Sequence, residues 1–282
     1  MKTPSLLPIA LLCLAWLSAP GATPSSPRLT SATATEVHPE VTIKKPDEPP
    51  EPLTTGRTIA GEDELQTGSK GSEAEIQFND HTTVARFESG TLFTFSVERG
   101  WMDLVKGLAL VSVKDGSEVI CETCALSNRV HSTAIIESFP APAPDKPDRC
   151  ATKFILLEGG ASISTRDGKH KQTLRGGQMI VQFSDDPDLR PIQEVDVKRL
   201  VRESRIVKGF KSTLPGAAKI QAVIDRQQKE LWLGTLEPTR HTIGGRGSDP
   251  YPEPSKPGLE APFDPDVAGG IKPPPIPCAV CP

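Results

Sequence analysis

The chain has 282 residues, long enough for two domains, but 36% hydrophobic content with 29 Pro and 23 Gly leaves too little apolar material for two cores. One medium domain with unstructured ends is the expectation. A formal net charge of -4 favours solubility and supplies no electrostatic footprint for nucleic acid.

The chain opens on a targeting segment. Lys2 gives a positive start, residues 6–17 an apolar run and residues 18–22 small side chains, so 1–22 read as a secretory signal peptide. The apolar run is short for a membrane span of roughly 20 residues. No stable span is expected after cleavage. Export implies a periplasmic or secreted protein, where disulfides are the default. Cys13 leaves with the signal. Cys121, Cys124, Cys150, Cys278 and Cys281 remain as disulfide candidates. Their odd number leaves one thiol free or paired between molecules.

Residues 23–56 are rich in Pro, Thr, Ser and Glu and read as a disordered linker, since they cannot bury enough apolar surface to offset their ordering entropy. From Arg57 the pattern changes. Ala74, Ile76 and Phe78 alternate with polar residues, then come runs at 84–87, 92–97 and 104–113. Asp115-Gly116 stands between the last run and Val119-Ile120-Cys121, which suggests a hairpin. A strand at 130–136 and a Pro-rich loop at 140–149 follow. Residues 154–181 then read strand, Gly-Gly break, strand, Asp167-Gly168 turn, strand, Gly-Gly break, strand. An Asp-Gly pair between alternating runs predicts a type I′ hairpin, which needs positive φ at both central residues. Residues 57–184 are therefore a β domain.

Residues 185–243 change to helical grammar. Val197, Leu200, Val201 and Ile206 mark one amphipathic helix that Gly209 would end. A second runs over about 217–233 with Ile220, Val223, Ile224 and Leu231 on one face. Packing on the β domain is the expectation; packing on each other or on a partner are the alternatives. Lys198, Arg199, Arg202, Arg205 and Lys208 give the first helix a basic face, read as solvated. Residues 244–282 form a Pro-rich, disordered tail with polyproline II character.

Three blocks in order then give a resemblance. Asp63-Glu64-Leu65-Gln66-Thr67-Gly68 leads into Gly71-Ser72-Glu73-Ala74-Glu75-Ile76. An apolar middle block covers 91–113 with Val105-Lys106-Gly107-Leu108-Ala109. Leu157-Glu158-Gly159-Gly160-Ala161 and Leu174-Arg175-Gly176-Gly177-Gln178-Met179 close it. Over residues 58–181 the chain resembles the FecR domain family. The resemblance implies a mainly β, extracytoplasmic domain of short stacked strands, a small solenoid or sandwich, followed here by two short amphipathic helices. It implies signalling or binding rather than catalysis. The family's best-known members join this domain across the inner membrane to a cytoplasmic anti-sigma region, and no such region is expected here. The chain departs from the family pattern at Ser132-Thr133-Ala134-Ile135, where many relatives carry Gly-Thr-x-Phe.

No catalytic constellation stands out. Two Cys-x-x-Cys pairs could bind zinc as thiolates, but one pair lies in the tail, and zinc ribbons keep their pairs close. A disulfide from Cys150 back to Cys121 or Cys124 would pin the Pro-rich loop. The tail pair could close on itself or link a second molecule into a disulfide-linked dimer. His38, His81, His131, His170 and His241 show no paired spacing. Asp185, Asp186 and Asp188 lack the Gly and distal Glu of a calcium loop. Glu158 reads as a solvated strand end, with a groove-lining role as the alternative; Ser162 lacks the trailing Gly of a nucleophile elbow; Trp101 and Trp232 read as packing residues, with stacking on sugar beside a β groove as the alternative. The function expected is a non-enzymatic binding or scaffold protein that takes a protein or envelope polymer and needs no cofactor. The alternatives are an envelope-acting hydrolase and a redox or metal-binding protein using the Cys-x-x-Cys pairs.

Overall fold

The computed structural model describes residues 31–69, 71–78, 81–96, 101–114 and 116–236. The first eight strands are β1 (Ala32–Val37), β2 (Val41–Lys44), β3 (Glu51–Pro52), β4 (Thr58–Ile59), β5 (Glu64–Thr67), β6 (Ala74–Phe78), β7 (Val84–Phe87) and β8 (Leu92–Ser96). A long β9 (Trp101–Ser112) follows, then β10 (Val119–Glu122), β11 (Leu126–Val130), β12 (Thr133–Pro140) and β13 (Cys150–Glu158). The last strands are β14 (Gly160–Thr165), β15 (Lys171–Arg175), β16 (Gln178–Phe183) and β17 (Gln193–Glu194). Three helices close the described chain: α1 (Val197–Glu203), α2 (Arg205–Lys208) and α3 (Ala217–Trp232).

The strands pair into two sheets. Sheet A runs β4-β1-β6-β7-β9-β12-β13-β16-β17. Sheet B runs β3-β2-β5-β8-β9-β10-β11-β14-β15. They share β9, whose first half pairs in sheet B and whose second half pairs in sheet A. The crossing falls at Gly107, where φ is +96° and a Cβ would stand 2.5 Å from the Thr91 Cα. Only glycine fits there. The same device sits at Gly159 (φ +70°), between β13 in sheet A and β14 in sheet B, packed against Ser132.

Two apolar layers result. Between the sheets lie Ile76, Phe78, Phe87, Phe93, Phe95, Ala109, Val111, Phe154 and Leu156. Phe87 and Phe93, one from each sheet, stack at 4.7 Å. The outer face of sheet A carries Leu108, Leu110, Ile135, Ile155, Leu157, Met179 and Val181, which pack under Val197, Leu200, Ile220, Val223 and Ile224 of the helices. Strand β13 is thus buried on both faces, which explains its apolar stretch from Phe154 to Leu157. The chain is mainly β, an open two-sheet sandwich with a helical layer.

Several expectations change. Residues 23–56 do not form a linker throughout: β1, β2 and β3 lie within them, and Ala32, Ala34, Val41, Ile43 and Leu53 enter the core. Small alternating side chains in β1 hide the pattern, and pairing with β6 supplies the order that local composition does not. β9 and β10 form no hairpin, because β10 pairs parallel to the first half of β9, with Ile120 opposite Trp101; Asp115 of the expected turn lies outside the described residues. The β14–β15 hairpin does form, but by a longer turn in which Gly168 has positive φ and Asp167 does not. Among the described residues the helices number three, not two, because Ser204 is extended (ψ 124°) and breaks the first. On α3, Leu231 is exposed and Gln227 takes the buried position instead, bonded to the Val195 carbonyl and the Val197 amide. The tail 244–282 lies outside the described residues.

Candidate functional site

Of the two partners open to Cys150, the structure joins Cys124, with Cα atoms 6.4 Å apart. The bond ties the β10–β11 turn to the first residue of β13, beside the Pro-rich loop. That loop is also held by charge: Lys146 and Arg149 donate to the Asp185 carboxylate. These bonds, led by Lys146, bring the Asp185 carboxyl down to about 2. Cys121 is a buried free thiol whose pKa is pushed up by desolvation. It faces Asn128 across β10 and β11, and the Asn128 amide donates to the Cys121 carbonyl. The first Cys-x-x-Cys pair is therefore split between a core thiol and a cross-strand disulfide. Cys278 and Cys281 lie outside the described residues.

The other sequence candidates disperse. Glu158 is buried, not solvated, and accepts from Thr133 Oγ1 at 2.8 Å. Asp186 pairs with Arg190 and Asp188 with His170. His131 pairs with Glu118, and His241 lies outside the described residues. Among the described residues no three His, Cys, Asp or Glu side chains converge on a metal position. Ser162 is exposed on β14. Trp232 is 85% exposed at the end of α3, so it is not a packing residue.

Trp101 is half-buried on the outer face of sheet B, which no described helix covers. It begins a cross-strand row: Trp101, Ile120, Arg129, Ser162, Thr173. The next row is Asp103, Glu122, Ser127, Ser164, Lys171. Burial raises the Asp103 carboxyl, with Arg166 nearby acting against it. This is a broad sheet face with an aromatic–aliphatic end and a polar, hydroxyl-rich remainder. Such a surface suits stacking and multiple hydrogen bonds.

On the opposite side, sheet A carries a charged seat that sequence reading did not single out. Glu75 on β6 and Arg86 on β7 are cross-strand partners. Arg86 Nε donates to Glu75 Oε2 at 2.8 Å, and the Arg86 side chain has no exposure. Its remaining donors reach the segment after Ser204: Nη1 to the carbonyls of Ile206 and Val207, Nη2 to the carbonyl and hydroxyl of Ser212. The Ser212 hydroxyl in turn donates to Glu75. Phe210 covers the guanidinium at 4.8 Å. Glu88 Oε1 accepts from the Ile206 amide, and Glu36 Oε2 from the Lys211 amide. Burial raises the Glu88 carboxyl, with Glu73 and Glu137 adding to it. A cleft of about 440 Å³ opens beside this seat, lined in part by Thr35, Glu36, His38 and Lys211. The signal for the seat was weak, since Glu75 and Arg86 alternate with apolar residues as solvent-facing side chains do.

No protein-family model matches the chain, and no curated protein matches it. Solved structures give partial likeness. One is a crystal structure described as a "putative anti-sigma factor" from Parabacteroides distasonis ATCC 8503, 14% identical, covering 49% of this chain and 62% of that one, with a TM-score of 0.39. A second of the same description and source is 12% identical and covers 59% of this chain and 90% of that one, with a TM-score of 0.36. The chain thus spans less than two thirds of the first.

Proposed function

We propose that this chain is an extracytoplasmic, non-enzymatic binding protein with a FecR-like β sandwich as its interaction module, taking a partner protein or an envelope polymer. The observation that carries this reading is the asymmetry of the two sheets. The outer face of sheet A is sealed under helices, while no described helix packs on that of sheet B, which carries the Trp101–Thr173 row. A half-buried Trp in one cross-strand row with Ile120, Arg129 and hydroxyl side chains offers apolar contact and polar readout on one surface. The Cys124–Cys150 bond is compatible with an oxidising compartment.

The test is capture from native envelope material by the full chain, compared with Trp101→Ala and Arg129→Glu variants. The expected result is a retained component whose capture falls at least ~10-fold in both variants, as loss of central interface side chains does. Equal capture by all three chains, or none by the parent, removes this face from the account.

A further inference from the structure

The segment 205–212 is held in an unusual way. Its contacts with the strands run chiefly to its own main chain. Arg86 reads the carbonyls of Ile206 (3.3 Å), Val207 (2.6 Å) and Ser212 (2.5 Å). Glu88 reads the Ile206 amide at 2.9 Å and Glu36 the Lys211 amide at 3.0 Å. Side-chain recognition is confined to a few positions. Arg205 pairs with Glu73 at 2.5 Å, Ile206 is buried, Phe210 sits between Arg86 and His38, and the Ser212 hydroxyl accepts from Arg86 and donates to Glu75.

A seat of this kind is a poor choice for stability alone. Sequestering a guanidinium and a carboxylate carries a desolvation penalty, and apolar replacements of similar volume are often as stable. The rest of the helical layer is held by apolar packing. What charged, main-chain-directed contacts do supply is a seat for a peptide backbone, since charge-assisted bonds to carbonyls and amides leave most side chains unread.

We propose that Glu36, Glu73, Glu75, Arg86 and Glu88 form a peptide-binding site on sheet A, occupied in cis by residues 205–212, and that a segment of a partner protein replaces it. The partner segment has the chemistry of the cis occupant: a basic residue, an apolar residue directly after it, and an aromatic residue four positions further on, as in Arg205, Ile206 and Phe210. The basic residue answers Glu73, and Glu88, which is close enough to feel both Glu73 and Glu137, adds to the acidic character of the rim. The inference goes beyond the binding reading above and uses the other sheet, so either can fail alone.

The experiment uses a fluorescent peptide of residues 204–214 and two full chains, the parent and one with 205–213 replaced by a Gly/Ser linker of equal length. The replaced chain is expected to bind the peptide, and the parent at least ~100-fold more weakly, because the tethered occupant acts at millimolar effective concentration. Glu73→Gln in the replaced chain weakens the peptide, but not a peptide carrying Arg205→Ala, which isolates that pair. A replaced chain that melts cooperatively yet does not bind overturns the proposal. If the replaced chain does not fold, hydrogen exchange on the parent decides. Excess peptide is expected to lower protection of the Ile206 and Lys211 amides while leaving the β12–β13 ladder unchanged. Unchanged protection at those two amides overturns it.

Discussion

Arg86 Nε and Glu75 Oε2 meet at 2.8 Å in the centre of sheet A, with side-chain exposures of 0% and 3%. The Arg86 Nη1 donates to carbonyls of α2 and its Nη2 to Ser212, in the segment that links α2 to α3. One ion pair thus couples the strands to the helical layer.

Breaking that pair leaves a buried charge without its partner. Arg86→Met or Glu75→Gln is expected to lose about 3–5 kcal/mol, while Arg86→Met with Glu75→Leu recovers part of the loss. Urea midpoints at unchanged m-value measure this. A double variant weaker than both singles contradicts it.

The disulfide spans a sequence separation of 26. Replacing Cys124 and Cys150 by Ser is expected to remove about 3 kcal/mol in the chain-entropy model. Cys121 should resist thiol reagents in the folded chain, because burial holds it protonated, and react once the chain is unfolded. Rapid native labelling at Cys121 contradicts the buried assignment.

Two glycines with the same sign of φ should behave differently. Gly159 has φ +70° with a virtual Cβ 2.5 Å from the Ser132 Cβ, whereas Gly168 has φ +72° in open space. Gly168→Ala should cost about 1–2 kcal/mol from the left-handed backbone alone. Gly159→Ala adds a clash between sheets and should cost roughly 2–5 kcal/mol. Comparable thermal shifts for the two would sink the corner account.

Glu88 gives a pH dependence. Burial raises its carboxyl above the ordinary value of 4.5, and Glu73 and Glu137 reinforce this, while the Ile206 amide and Arg205 oppose it. The folded chain then holds the proton more tightly than the unfolded one. Its contribution to stability is full below the ordinary value and is lost as pH rises through the folded value. Glu88→Gln should remove this component of the slope. An identical stability–pH profile in the variant contradicts it.

The β class was legible in residues such as Ala74, Ile76 and Phe78, whose alternation is a local property of the pleat. Ile220, Val223 and Ile224 were legible for the same reason at helical spacing. The charged seat was not. Glu75 and Arg86 look like solvent-facing residues until the segment after Ser204 covers them, and that contact joins positions more than a hundred residues apart. Nor could alternation reveal β1, where Ala and Thr are too small to show a strong period and the ordering comes from β6.

The sequence by itself thus determined the β class of the segment from β6 to β16, most of the apolar face of α3, and the cysteines available to pair. Tertiary structure decided which sheet each half of β9 joins, that β9 and β10 run parallel, that Cys150 meets Cys124, and which sheet face is sealed. The division has a physical cause. Backbone propensity and side-chain period act over a few residues, whereas sheet order, disulfide choice and burial of charge are set by contacts between segments far apart in the chain.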